Sequence, residues 1–239
     1  LLANIVVLNA ASWRLEIEFS DRFSEKLNFV LEPSGLYYPN RIARLFFLAM
    51  EEVMGKSGLD ALLRSAGLET YIEHPPADNL ARQFDFAYIA AMNETLEEMY
   101  GTKGGRGMAL RVGRACFGLG FKDFGAMAGV SDPAFQALPL SGKTLLVLQA
   151  LANIFTHFSD QQSSVVDAGE AYHFVVDVSP MAWGRVADRP VCHALSGIIQ
   201  ESLRWGTKGY EFHVQEIACH ATGSDQCVFK INKKPIGQL

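Results

Sequence analysis

Three of the chain's four cysteines fall in its last fifth, as Cys192, Cys219 and Cys227. Cys192 lies near the start of an apolar-periodic segment at 189–205, with Pro190 suited to a first helical position. Residues 209–218 and 226–232 mix aromatic and β-branched residues with polar ones, and Gly223-Ser224-Asp225 between them is a turn signal. The pattern predicts two strands of one hairpin. Folding it about Gly223 sets Cys219 beside Cys227 across a three-residue loop, and the helix brings Cys192 to them. A chain so arranged must seat a helix end on a hairpin, which constrains its fold more than any other local feature.

Zinc favours tetrahedral, sulfur-rich cages, and a carboxylate from Glu216 can complete four ligands with Cys192, Cys219 and Cys227. Side chains three apart on a regular strand point to opposite faces, so Glu216 joins Cys219 only where the strand bends or bulges. His193 and His220 are rival fourth ligands, disfavoured because each points away from its neighbouring cysteine. Two alternatives stay open: three cysteines buried as small hydrophobes, or a Cys219–Cys227 disulfide in an oxidising compartment.

The run Pro190-Val191-Cys192, followed by Glu216-Ile-Ala-Cys219-His-Ala-Thr-Gly-Ser-Asp-Gln-Cys227, resembles the 4-vinyl reductase domain family. That family includes sensor domains of phenol- and xylene-responsive bacterial activators, a bacteriochlorophyll-biosynthesis protein and archaeal hydrocarbon-binding proteins. The block Tyr38-Pro-Asn-Arg-Ile-Ala-Arg44, continuing to Leu62-Leu63-Arg64-Ser65-Ala66-Gly67-Leu68, is similar to the family's N-terminal helical region. The resemblance implies a structural zinc on Cys192, Glu216, Cys219 and Cys227, and a fold like the TRAPP and NO-signalling ligand-binding domains. It also implies a pocket between a late helix and the sheet. The tryptophan-bearing strand of the phenol sensors aligns with residues 171–175, which contain no Trp, so phenol itself is not the expected ligand.

A 239-residue chain with 49% hydrophobic and 20% charged residues can bury a sizeable core without a metal. A net charge of −5 argues against a general nucleic-acid footprint. No apolar run approaches the roughly 18 residues of a membrane span. Residues 1–11 are apolar but lack the basic start of a signal peptide, and four cysteines do not make a disulfide framework, so a cytoplasmic location is expected.

Residues 1–35 are expected to be an N-terminal extension containing a strand at 13–19, and 36–239 the ligand-binding domain. Helical spacing from Pro39 to Met54 stops at Gly55, and Ser57 with Asp60 resembles a capping box before a short helix closed by Gly67. Asp85 is expected to cap a helix running to Tyr100, before Gly101. Residues 104–117 should form a Gly-rich turn entering a helix, 125–139 a loop with a short helix, and 142–158 an apolar helix capped by Ser141. Strands are expected at 163–167 and 171–178. Late antiparallel strands with early helices indicate α+β, an antiparallel sheet packed against helices. No internal repeat is evident.

Ser141-Gly142-Lys143-Thr144 resembles the end of a phosphate-binding loop but lacks the early Gly and the preceding strand. The 104–107 turn could present Arg106, Arg111 and Arg114 to an anionic group, although arginines on a solvated helix paired to local carboxylates are the plainer expectation. Phe155, Phe158, Tyr172, Phe174, Ser196, Ile199 and Val214 are the expected walls of an apolar pocket, with core packing as the alternative. Four protein ligands leave zinc no open position for an activated water. The expectation is therefore a non-catalytic module, a homodimer, that binds a hydrophobic aromatic or tetrapyrrole-like molecule. An enzyme or carrier in vinyl-group reduction, requiring a partner with a hydride source, and a TRAPP-like scaffold are the alternatives.

Overall fold

Two strand–helix units begin the fold. A computed structural model describes residues 31–124, 129 and 132–238. Strand β1 (Tyr37–Pro39) runs directly into helix α1 (Asn40–Ser65). After the short α2 (Thr70–Glu73), strand β2 (Arg82–Asp85) runs in the same way into α3 (Phe86–Leu119). β1 and β2 pair antiparallel, with Tyr38 opposite Phe84. Both helices break at a glycine: Gly55 at φ 77° and Gly101 at φ 68° stand inside otherwise helical runs. The left-handed backbone is one only glycine adopts at little steric cost, so the expected helix stops at both positions are kinks between two helical segments.

These two units are an internal repeat, which corrects the expectation of none. Glu51-Glu52-Val53-Met54-Gly55-Lys56-Ser57-Gly58 returns as Glu97-Glu98-Met99-Tyr100-Gly101-Thr102-Lys103-Gly104, 46 residues later. Tyr38 and Phe84, which face each other across the ladder, are related by the same offset. The copies diverge outside the kinks because α1 and α3 meet different neighbours, and only the shared bend kept its residues.

Asp85 caps α3 as expected, accepting from the Ala87 amide at 2.8 Å. Buried at 3% exposure, it also accepts from the Ser34 amide and hydroxyl and from the Gly35 amide. Asp85→Ala should destabilise the domain by about 2 kcal/mol, through loss of the cap and of partners for buried donors. Urea unfolding midpoints measure it, and an unchanged midpoint would contradict the role.

Beyond α3 come α4 (Pro133–Gln136), α5 (Leu140–Phe158), β3 (Ser163–Asp167), β4 (Ala171–Val176) and α6 (His193–Gly206). The chain then forms β5 (Tyr210–Glu211), β6 (Val214–Ala218), β7 (Cys227–Asn232) and β8 (Gly237–Gln238). One antiparallel sheet has the order β3-β4-β7-β6. Its inner face alternates with period two: Tyr172, Phe174 and Val176 on β4, and Cys227, Phe229 and Ile231 on β7, are buried. Contacts gather Pro33–Leu239 into one unit, and its helices with an antiparallel sheet make the expected α+β class.

Several boundaries differ from expectation. β1 and β2 are too short to carry periodicity, and β1 lies in a block expected to be helical. The 209–218 strand is interrupted at Phe212, which is buried, and His213. Residues 104–107 are helical rather than a turn, and α5 begins at Leu140 with Pro139 at its cap, so Ser141 caps nothing. The strand expected at 13–19, and most of the expected extension 1–35, lie outside the described residues. Among those described, no helix is long and apolar enough to cross a membrane.

Candidate metal centre

Cys192 is the N-cap residue of α6 rather than part of a helix from Arg189. Helix α6 lies between the sheet and α3, and two glycines set its approach. A Cβ at Gly113 would stand 1.9 Å from the Ala194 carbonyl oxygen, and one at Gly197 2.2 Å from that of Leu110. Backbones this close admit no side chain between them. Asn93, buried in α3, donates to the carbonyls of Met181 and Val191 and so fixes the segment that delivers Cys192.

The hairpin brings the other three groups. β6 and β7 slip register between Glu216 and Ala218, the bulge that the Glu216/Cys219 spacing demanded. Cys219 and Cys227 are not ladder partners across a three-residue loop, as expected from the sequence; a 3-10 turn (His220–Thr222) and Gly223 lengthen the connection. Their sulfurs still come within 3.9 Å.

The four groups expected as ligands converge: one donor atom from each of Cys192, Glu216, Cys219 and Cys227 lies within 4.8 Å of the others, all buried. Cys192 Sγ is 3.9 Å from Cys219 Sγ and 3.7 Å from Cys227 Sγ. Sulfurs about 2.3 Å from a tetrahedral zinc stand about 3.8 Å apart, so the three separations match such a cage. All four cysteines are free. Glu216 Oε2 accepts from the Cys192 amide at 2.9 Å, which orients the carboxylate, while Oε1 is buried without a partner. A buried carboxylate oxygen with no hydrogen bond, set among three thiols, is the donor set a cation satisfies. Cys192 Sγ lies 3.1 Å from Ser179 Oγ, and the His220 amide donates to Cys227 Sγ. Asn93 and Ser179 were missed from sequence. Asn93 did carry a signal, as a polar residue in the apolar run Ile89-Ala-Ala-Met92.

The electrostatics favour a cation. Burial, then the Cys219 charge, pushes the Glu216 carboxyl up to about 9, and burial raises the Cys192 thiol. Cys219 is held down to about 2 by the Cys192 and Cys227 thiols that donate to it. Glu216 and Cys192 are therefore protonated at neutral pH until a cation arrives, and binding must displace those protons. Affinity should rise as pH is raised from about 5 towards 9, and zinc titrated calorimetrically at pH 7 should release protons to buffer. Equal heats in buffers of different ionisation enthalpy would contradict this. His193, the rival ligand, stands outside the cage, its imidazole pulled down to about 4 by burial and then by the Arg106 charge.

The remaining expected residues do not gather at the cage. Phe155, Phe174 and Ile199 are fully buried, Phe155 against the rings of Tyr38 and Phe121. Tyr172 and Ser196 are buried, while Phe158 and Val214 are half-buried. Phe158 lines a separate cavity with α1 residues. Arg106, Arg111 and Arg114 are exposed on α3, and Arg114 donates to Gln200.

Residues 173–233 match the family model of the 4-vinyl reductase domain, a span holding all four cage residues, which bears out the resemblance. Among solved structures, an H-NOX domain from a study of heme distortion superposes with TM-score 0.51 at 15% identity, covering 83% of this chain and 96% of that one. The I5F mutant of T. tengcongensis H-NOX gives 0.50 at 16% identity, covering 80% and 96%. The phenol-responsive sensory domain of the transcription activator PoxR, with phenol, gives 0.45 at 20% identity, covering 64% and 77%. No curated protein matches the chain. The two H-NOX likenesses establish the fold as that of the NO-signalling domains and nothing beyond it.

Proposed function

We propose that this chain is a non-catalytic module that binds or senses a hydrophobic small molecule, with a structural zinc held by Cys192, Glu216, Cys219 and Cys227. The observation that carries it is the closed cage: three sulfurs at tetrahedral spacing, one orphaned carboxylate oxygen, and full burial. Sulfur-rich donors with one oxygen suit zinc better than calcium or magnesium. Four protein ligands leave no position for substrate or activated water, so the metal's work is mechanical. It ties the start of α6 to the β6–β7 hairpin, and the Gly113–Gly197 crossing ties α6 to α3.

The family match over 173–233 supports a ligand-binding role. The ligand would be an aromatic or tetrapyrrole-like molecule entering beside α6, among Phe155, Tyr172, Phe174, Ser196, Ile199 and Val214. These side chains are closely packed, so occupancy requires α6 to shift on its tether. Native mass spectrometry of the purified chain tests the proposal, reporting metal, copurified molecule and stoichiometry together. One zinc per chain, with further mass lost on mild activation, is expected. A chain carrying neither, whose three clustered thiols all react with iodoacetamide, overturns it.

A further inference from the structure

We infer that a cavity walled by α1 and the end of α3 is a second site, for a small amphipathic anion carrying a single negative charge. It contains no residue of the metal cage and stands whether or not zinc binds there. The cavity measures about 500 Å³, within the range of pockets that take small ligands. Its apolar wall is Leu45, Leu48, Leu80, Leu119, Phe124 and Phe158. Leu48, Leu80 and Leu119 are 42%, 46% and 41% exposed, and their gathering about one hollow makes a surface to which an apolar body adheres.

The charges at the cavity are unequal in their commitments. Arg41 is paired with Asp78 at 2.7 Å. Arg44, half-buried, donates one nitrogen to the Pro76 carbonyl and meets no carboxylate among the described residues. A guanidinium beside apolar surface with donors to spare selects an anionic group. Asp123, exposed on the same lining, opposes a second negative charge. The internal repeat sharpens the point. Arg41, Arg44 and Leu45 occupy the places of Ala87, Ala90 and Ala91, which are all buried. The copies thus differ in size and charge at the positions that line this cavity.

Fluorescence titration with anilinonaphthalene sulfonate and its uncharged parent, phenylnaphthylamine, tests the site. The sulfonate should bind the wild-type chain at least about tenfold tighter than the parent. Arg44→Met should abolish that difference while leaving the parent's affinity unchanged, and Asp123→Asn should strengthen sulfonate binding. Leu119→Arg should weaken the uncharged parent, which separates the cavity from adventitious patches. All variants are checked by circular dichroism and metal content. Equal sulfonate affinity in wild type and Arg44→Met, or parent binding indifferent to Leu119→Arg, overturns the inference.

Discussion

Cys219→Ser should leave the chain without bound metal, with zinc falling from one ion per chain to under about a tenth. Serine is a poor ligand for a borderline-soft ion, and losing one donor leaves two thiols and a carboxylate that burial keeps protonated. The ceiling on the stability loss is the zinc contribution in zinc-finger peptides, about 10–16 kcal/mol. This domain has a core of its own, so a loss of about 3 kcal/mol is expected, or roughly 10 °C in Tm. Chelator should lower the wild-type Tm and leave that of Cys219→Ser unmoved. Cys116→Ser is the control: Cys116 is buried far from the cage, its thiol directed at the Leu45 carbonyl, and it should keep its zinc. Retention of stoichiometric metal by Cys219→Ser would sink the assignment.

Gly197→Val should destabilise more than any other single change in a helix. Its side chain would enter the space held by the Leu110 carbonyl, 2.2 Å away. Overpacking of a close-packed contact costs about 1–3 kcal/mol, and here the obstacle is backbone, so the upper end or beyond is expected. Gly113→Ala should behave alike. Gly107→Ala and Gly118→Ala, where an added Cβ meets nothing within 4 Å, should be neutral or slightly stabilising because alanine is the better helix former. Denaturant unfolding of the four variants decides it, and similar midpoints for all four would show that α6 and α3 are not locked by this crossing.

The cage was legible because its residue types are rare and its spacing is awkward. Glu216 and Cys219 can share a cage only through an irregular strand, and the slip between Glu216 and Ala218 supplies it. Helix ends at Gly55, Gly67, Asp85 and Gly101 were legible through backbone chemistry that few residues satisfy. The interior of α6 was not. Its start shifted to His193 because Cys192 serves as the cap, and nothing in Gly197 or Gly113 announces a partner 84 residues away. The expected pocket residues were chosen for apolar character, which core and cavity walls share; Phe155 went to an aromatic core and Phe158 to a different hollow. The repeat escaped notice because its identity is confined to one short bend in each copy.

That repeat has the symmetry of a dimer written into one polypeptide. In a pair of separate identical subunits every substitution acts twice, so an arginine placed to greet a ligand on one side is forced upon the other. Joining the halves end to end lifts that constraint. One half was free to keep three alanines under cover while the other grew long side chains and turned outward.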